Sequence, residues 1–133
     1  MRFLIVEDDV VSAIVMEKFL SPYGSCTIAT DGLMAVKAFE SALSIDPYDL
    51  VWLDIMLPRM DGQEVLKNIR SLEEKNRIFG EDRVKIIMTT ALGDHLTIME
   101  AFRSQCEGYI VKPVSRQKII EQLVSQGLLE KSS

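Results

Sequence analysis

The sequence predicts an α/β protein, a doubly wound parallel sheet of five strands with helices on both faces. Three observations carry that reading. Short apolar runs at residues 3–6 and 50–53, and at 84–88 where only Lys85 interrupts, have the pattern of strands buried on both sides, not the alternation of a half-exposed sheet. Stretches with helical apolar spacing stand between them. The linkers are a few residues long, so the order βαβαβαβαβα requires parallel neighbours joined by right-handed crossovers. At 133 residues the chain fits one domain, read as residues 1–133 with its core over 2–126.

Composition narrows the function classes. Hydrophobic residues at 47% and charged residues at 26% match a soluble globular protein. A formal net charge of −5 argues mildly against a nucleic-acid-binding surface, which would want a basic patch. The apolar run at residues 3–6 stops at Glu7, far short of a signal peptide or a membrane span of about 20 residues. Cys26 and Cys106 have neither CxxC nor histidine partner spacing, which reads as reduced, buried thiols in a cytoplasmic protein.

The elements follow in order. Residues 2–6 read as the first strand, ending at Glu7, Asp8 and Asp9. Asp9 suits a helix cap. Val11, Ile14, Val15, Phe19 and Leu20 recur with helical spacing and are taken as the inner face of the first helix, with Pro22 and Gly24 ending it. Residues 26–29 form a weaker second strand. Asp31-Gly32 caps a second helix with Val36, Phe39, Ala42 and Leu43 inward. The third strand, 50–53, runs straight into Asp54, and Pro58, Asp61 and Gly62 mark a loop before a third helix carrying Val65, Leu66, Ile69 and Leu72.

Residues 73–83 read as a charged surface loop or a frayed helix end. The fourth strand, 84–88, ends in hydroxyls at Thr89 and Thr90. A fourth helix is expected from Gly93-Asp94, with Leu96, Met99, Ala101 and Phe102 inward, and His95 reads as a polar residue at its start. The last strand, 108–111, ends at Lys112-Pro113. Ile119, Ile120, Leu123 and Val124 mark a fifth helix, and residues 128–133 should fray. Trp52, Met88 and Met99 read as core.

The carboxyl ends of parallel strands are where α/β sheets collect ligands. Here they present Glu7, Asp8, Asp54, Thr90 and Lys112. Converging carboxylates repel one another, and a hard divalent cation with oxygen ligands relieves that repulsion. Mg2+ suits best, because it keeps several waters and accepts one or two carboxylates plus a phosphate oxygen. A lysine adds fixed positive charge and a threonine a hydrogen bond. Together these are the parts needed to transfer a phosphoryl group to a carboxylate nucleophile.

LIVEDD at the first strand, LVWLDIMLPRMDG around the third, IIMTTA at the fourth and GYIVKP at the fifth resemble the receiver domain of two-component response regulators. The resemblance covers residues 2–126 and implies a CheY-like, flavodoxin-like sheet of order 2-1-3-4-5. It implies that Asp54 accepts a phosphoryl group from a histidine kinase or phosphotransfer protein. Glu7, Asp8, Asp54 and the backbone carbonyl of Met56 would hold Mg2+, and Lys112 would meet the phosphoryl oxygens. Thr90, 22 residues before Lys112, would be the switch hydroxyl and Thr89 inert, with Tyr109 swinging inward after Thr90 moves. The resemblance implies a stand-alone cytoplasmic switch, not a metabolic enzyme. Its output would be binding to a downstream protein through the fourth helix, fifth strand and fifth helix, as a monomer or a phosphorylation-linked dimer, with no nucleic-acid or membrane partner.

Some features depart from the family pattern. The stretch from Asp54 to Thr90 is about half a dozen residues longer than is usual in the family, the excess being placed at residues 73–83, where it would alter surface recognition. Val114 stands where many members carry an aromatic. Met56 and Leu92 are apolar where side chains flank the path of the hydrolytic water, which implies slow self-dephosphorylation. A phosphorelay intermediate is the alternative within the class. Outside it stand a haloacid-dehalogenase-type phosphatase, which wants DxD at the first strand instead of Glu7-Asp8-Asp9 and has a cap domain, and a flavodoxin-like cofactor binder, which the acids would repel.

Overall fold

In a computed structural model that describes residues 1–91 and 105–130, five parallel strands pair in the order 2-1-3-4-5. The strands are β1 (Arg2–Val6), β2 (Ser25–Ala29), β3 (Leu50–Asp54), β4 (Lys85–Thr90) and β5 (Gly108–Val111). Between them run α1 (Val10–Leu20), α2 (Gly32–Leu43) and α3 (Gly62–Lys75), and a C-terminal helix, Arg116–Ser125, follows. The expected fourth helix, with Leu96, Met99, Ala101 and Phe102, lies outside the described residues, as do Leu92 and His95.

Strand alternation divides the core in two. Leu4, Val6, Val51, Leu53, Ile86 and Met88 face α2 and α3, meeting Phe39, Val65, Leu66 and Ile69. Phe3, Ile5, Leu50, Trp52, Ile87 and Ile110 face the other way, toward Ala13, Met16 and Leu20 of α1 and Ile119 and Leu123 of the C-terminal helix. Every residue of β3 is buried, as its unbroken apolar run predicts.

Helix starts are fixed by side-chain caps just beyond the strand ends. Asp9 accepts from Val11 N at 3.2 Å and from the Ser12 hydroxyl at 2.7 Å. Asp31 accepts from Met34 N at 2.8 Å, Asp61 from Glu64 N at 3.0 Å, and Ser115 from Lys118 N at 3.2 Å. Each satisfies an amide that has no partner inside its own helix. Gly62 is required by close approach, because a methyl there would stand 2.7 Å from the Asp54 carbonyl oxygen.

Three expectations are corrected. On α1 the buried stripe is Ala13, Met16 and Leu20, whereas Val11, Ile14 and Val15 are exposed, Val11 by 69%. The helix is apolar on both sides, so spacing alone does not choose which stripe faces the sheet. The second correction concerns the charged excursion at 73–83. Residues 73–75 complete α3, and Glu73 is almost fully buried. The excursion proper is residues 76–83, with positive φ at Arg77 and Gly80 and a 3-10 turn, and it stands at the opposite sheet edge from Asp54. Third, the tail does not fray at once. Leu128 and Leu129 pack partly on the core and both donate to the Leu123 carbonyl at 2.9 and 3.2 Å. In addition, Cys106 is buried but Cys26 only half-buried.

Glu73 is buried because it belongs to a charge network. The Arg70 guanidinium donates to Glu73 at 2.7 Å, to both Glu107 oxygens at 2.9 and 3.0 Å, and to the carbonyls of Val84 and Gln105. Glu73 accepts from Val84 N at 2.7 Å and Glu107 from Ile86 N at 2.7 Å. The network ties the end of α3 to the entrances of β4 and β5. Removing its one cation leaves two carboxylates without their counter-charge, so Arg70→Leu should lose about 3–5 kcal/mol in urea unfolding. A loss below about 1 kcal/mol would contradict this account of the network.

Candidate functional site

β1 and β3 lie side by side, with Val6 opposite Leu53, so the residues that follow them emerge together at the carboxyl edge. Asp54 closes β3 and is 4% exposed; Glu7 follows β1 and is 5% exposed; Asp8, next in the chain, faces solvent. One carboxylate oxygen from each of the three lies within 4.8 Å of the others. Glu7 is held by its own amide, which donates to the Ala29 carbonyl at 3.0 Å, and by Asp9 N, which donates to its carboxylate at 3.2 Å.

Lys112 reaches this cluster from the end of β5. Its ammonium donates to Asp54 Oδ2 at 2.9 Å and to Glu7 Oε2 at 3.2 Å. The other Asp54 oxygen accepts from Met56 N at 3.0 Å. The Lys112 amide donates to the Thr90 carbonyl at 2.7 Å, anchoring the lysine's backbone to β4. The Lys112-Pro113 bond is cis.

Electrostatics follow from crowding. Burial pushes the Glu7 carboxyl up to about 7, with hydrogen bonding to Asp54 and its charge adding to the rise and Lys112 opposing it. Burial works against the Lys112 charge, yet the hydrogen bonds and charges of Asp54 and Glu7 outweigh it and hold the ammonium above its ordinary range. Asp9 stands apart. Its bond from Ser12 keeps its carboxyl below the usual range, in keeping with a cap and not a ligand.

The structure thus brings Glu7, Asp8, Asp54 and Lys112 together. The β3–β4 register sets Thr89 opposite Asp54, and Thr90 stands one residue further on; both are buried. Tyr109 lies on β5, 39% exposed. A groove of about 520 Å3 beside the acids was not foreseen from the sequence; Val11, Val15, Met16, Thr89, Pro113 and Val114 line it together with Glu7 and Lys112. Its signal is the second apolar stripe of α1, which helical spacing alone places in the core.

The donor set fits a hard divalent cation: three carboxylate oxygens in close range, one open to solvent, at an edge where a single lysine offsets part of their charge. Among the described residues no helix is long and apolar enough to cross a membrane.

The chain belongs to the response regulator receiver domain family, whose model matches residues 3–124. It is 32% identical over 132 residues to Probable histidine kinase 2 of Oryza sativa subsp. indica, covering 91% of this chain and 12% of that much longer protein. The chain therefore spans a small part of that relative's length. Among solved structures it is similar to the receiver domain of the sensor histidine kinase PA1611 of Pseudomonas aeruginosa PAO1, which carries a magnesium ion in its active-site cleft. That match has 30% identity and a TM-score of 0.74, over 94% of this chain and 95% of the other. It is also similar to the receiver domain of Saccharomyces cerevisiae Ssk1 crystallised with the histidine phosphotransfer protein Ypd1, at 28% identity and a TM-score of 0.81, over 96% and 88% of the two chains. Family membership sets aside the dehalogenase-type and flavin-binding readings.

The raised Glu7 carboxyl has a consequence for stability. The folded protein holds that proton up to about 7, against 4.5 for a free side chain, so the associated stability is complete below 4.5 and disappears as pH rises to 7. Without metal, the thermal midpoint should fall across that interval, Glu7→Gln should flatten the fall, and Mg2+ should bind more tightly as Glu7 ionises. Identical pH profiles for the two proteins would contradict this account.

Proposed function

We propose that the chain is a phosphorylation switch in which Asp54 takes a phosphoryl group from a phosphohistidine on a kinase or phosphotransfer protein. One observation carries the reading: a single ammonium bridging a buried aspartate and a buried glutamate at the carboxyl edge of the sheet. An Asp54 oxygen attacks phosphorus, the phosphorus–nitrogen bond breaks, and the departing imidazole keeps the electron pair and takes up a proton. The product is an acyl phosphate. Glu7, Asp8, Asp54 and the Met56 carbonyl would hold Mg2+. When bound, the ion neutralises charge on the phosphoryl oxygens.

The chain's own residues do the rest. Lys112 passes from carboxylate to phosphoryl oxygen and stabilises the charge that builds there. Met56 N–H orients the attacking carboxylate through Oδ1. The Thr90 hydroxyl donates a hydrogen bond to a phosphoryl oxygen, and Tyr109 follows it inward. The exposed Val10, Val11, Ile14 and Val15 on α1, next to the acids, supply an apolar face on which the phosphodonor rests. The two states differ in β5 and the C-terminal helix, and a downstream protein in the cytoplasm reads that surface. The switch works as a monomer or a phosphorylation-linked dimer.

Intact mass after incubation with acetyl phosphate tests the switch. The protein should gain one phosphoryl group in the presence of Mg2+, and Asp54→Asn should gain none. Lys112→Ala should slow uptake by about 100-fold, in line with removal of one preorganised electrostatic donor. Met56→Asn should shorten the phosphoryl lifetime by orienting water. A gain that persists in Asp54→Asn would refute the assignment.

A further inference from the structure

β5 is the outermost strand of the sheet, so its outward carbonyls meet no neighbouring strand among the described residues. The C-terminal helix meets them with three long side chains one turn apart. Lys118 donates to Val111 O at 2.9 Å and to Pro113 O at 3.0 Å, Gln122 to Tyr109 O at 3.3 Å, and Gln126 to Glu107 O at 3.4 Å. These contacts are unequal. The Lys118 bonds are the shortest and carry a charge, and their two acceptors stand on either side of Lys112.

We propose that Lys118 is a positioning residue for Lys112, holding its backbone so that the ammonium meets Asp54 and Glu7. The inference rests on the reading of Lys112 as the group that receives the phosphoryl oxygens. The Lys112 amide is tied to Thr90 O at 2.7 Å on the side of β4, and Lys118 ties the flanking carbonyls on the other side. Between those two anchors the lysine's starting point is fixed. Lys118 itself stands in the first turn of its helix, with its amide bonded to the Ser115 cap. A cation at that end meets the unfavourable pole of the helix dipole. The two carbonyls therefore account for an ammonium where the helix alone disfavours one.

The test compares Lys118→Met, Lys118→Arg and Gln126→Ala, with thermal midpoints recorded for all three. Gln126→Ala removes a bond of the same kind at the far end of the strand. Phosphoryl uptake from acetyl phosphate with Mg2+ should slow about tenfold or more in Lys118→Met, the scale of a displaced catalytic group. It should recover in Lys118→Arg and stay at the wild-type rate in Gln126→Ala. In a Lys112→Ala background, Lys118→Met should add no further loss. The 15N resonance of the Lys112 ammonium, assigned with Lys112→Arg, should move in Lys118→Met and not in Gln126→Ala. An unmoved resonance, or an equal slowing with and without Lys112, would overturn the proposal. A resonance that moves in a protein that takes up no phosphoryl group would uphold the brace and overturn the phosphoryl reading instead.

Discussion

The rest of the structure depends on the Lys112 ammonium lying between Glu7 and Asp54. Three carboxylates share a few ångströms, two of them almost wholly buried, and buried like charges cannot persist uncompensated. Burial raises the Glu7 carboxyl, Asp54 adds to the rise, and Lys112 only partly opposes it. The acids come from β1 and β3 and the lysine from β5, two strands away from β3. Strands stand about 4.8 Å apart, so the side chain must reach over β4 to close the pair. A short side chain in its place would not reach.

Such a reach needs fixed starting points, and the local sequence supplies them. The polar caps Asp9, Asp31 and Ser115 begin their helices within a few residues of the strand ends, which leaves those edge loops little slack, and Asp61 caps α3 after the longer loop that follows Asp54. Gly62 lets α3 start against the backbone of Asp54. At the other end of the sheet, the Arg70 network joins α3 to β4 and β5, where no chemistry is placed. The molecule thus has a welded edge and a charged edge, and it is the charged one that keeps a solvent-facing acid.

Much of this was legible in the sequence. The doubly buried strands announced themselves by unbroken apolar runs, and the four carboxylate and lysine positions followed from where those runs stop. Asp9 declared itself a cap by position. What was illegible has common physical causes. α1 is apolar on two sides, so its periodicity fits either phase, and the stripe of β-branched residues is the exposed one. Arg70 stands one helical turn before Glu73, but the pair reads as an exposed surface pair, because the Val84 amide and the burial that make it a network come only from the packing of α3 on the sheet. Lys118 has the same history: nothing local says that its ammonium meets two carbonyls of the preceding strand and turn.

The central claim is that Asp54, and neither of the acids beside it, carries the phosphoryl group. Borohydride reduction of the acetyl phosphate-treated protein converts an aspartyl phosphate to homoserine, which tandem mass spectrometry can place. Homoserine at position 54, formed only when Mg2+ was present, is the predicted result. A reduced residue at Glu7 or Asp8, or none at all, would contradict the account.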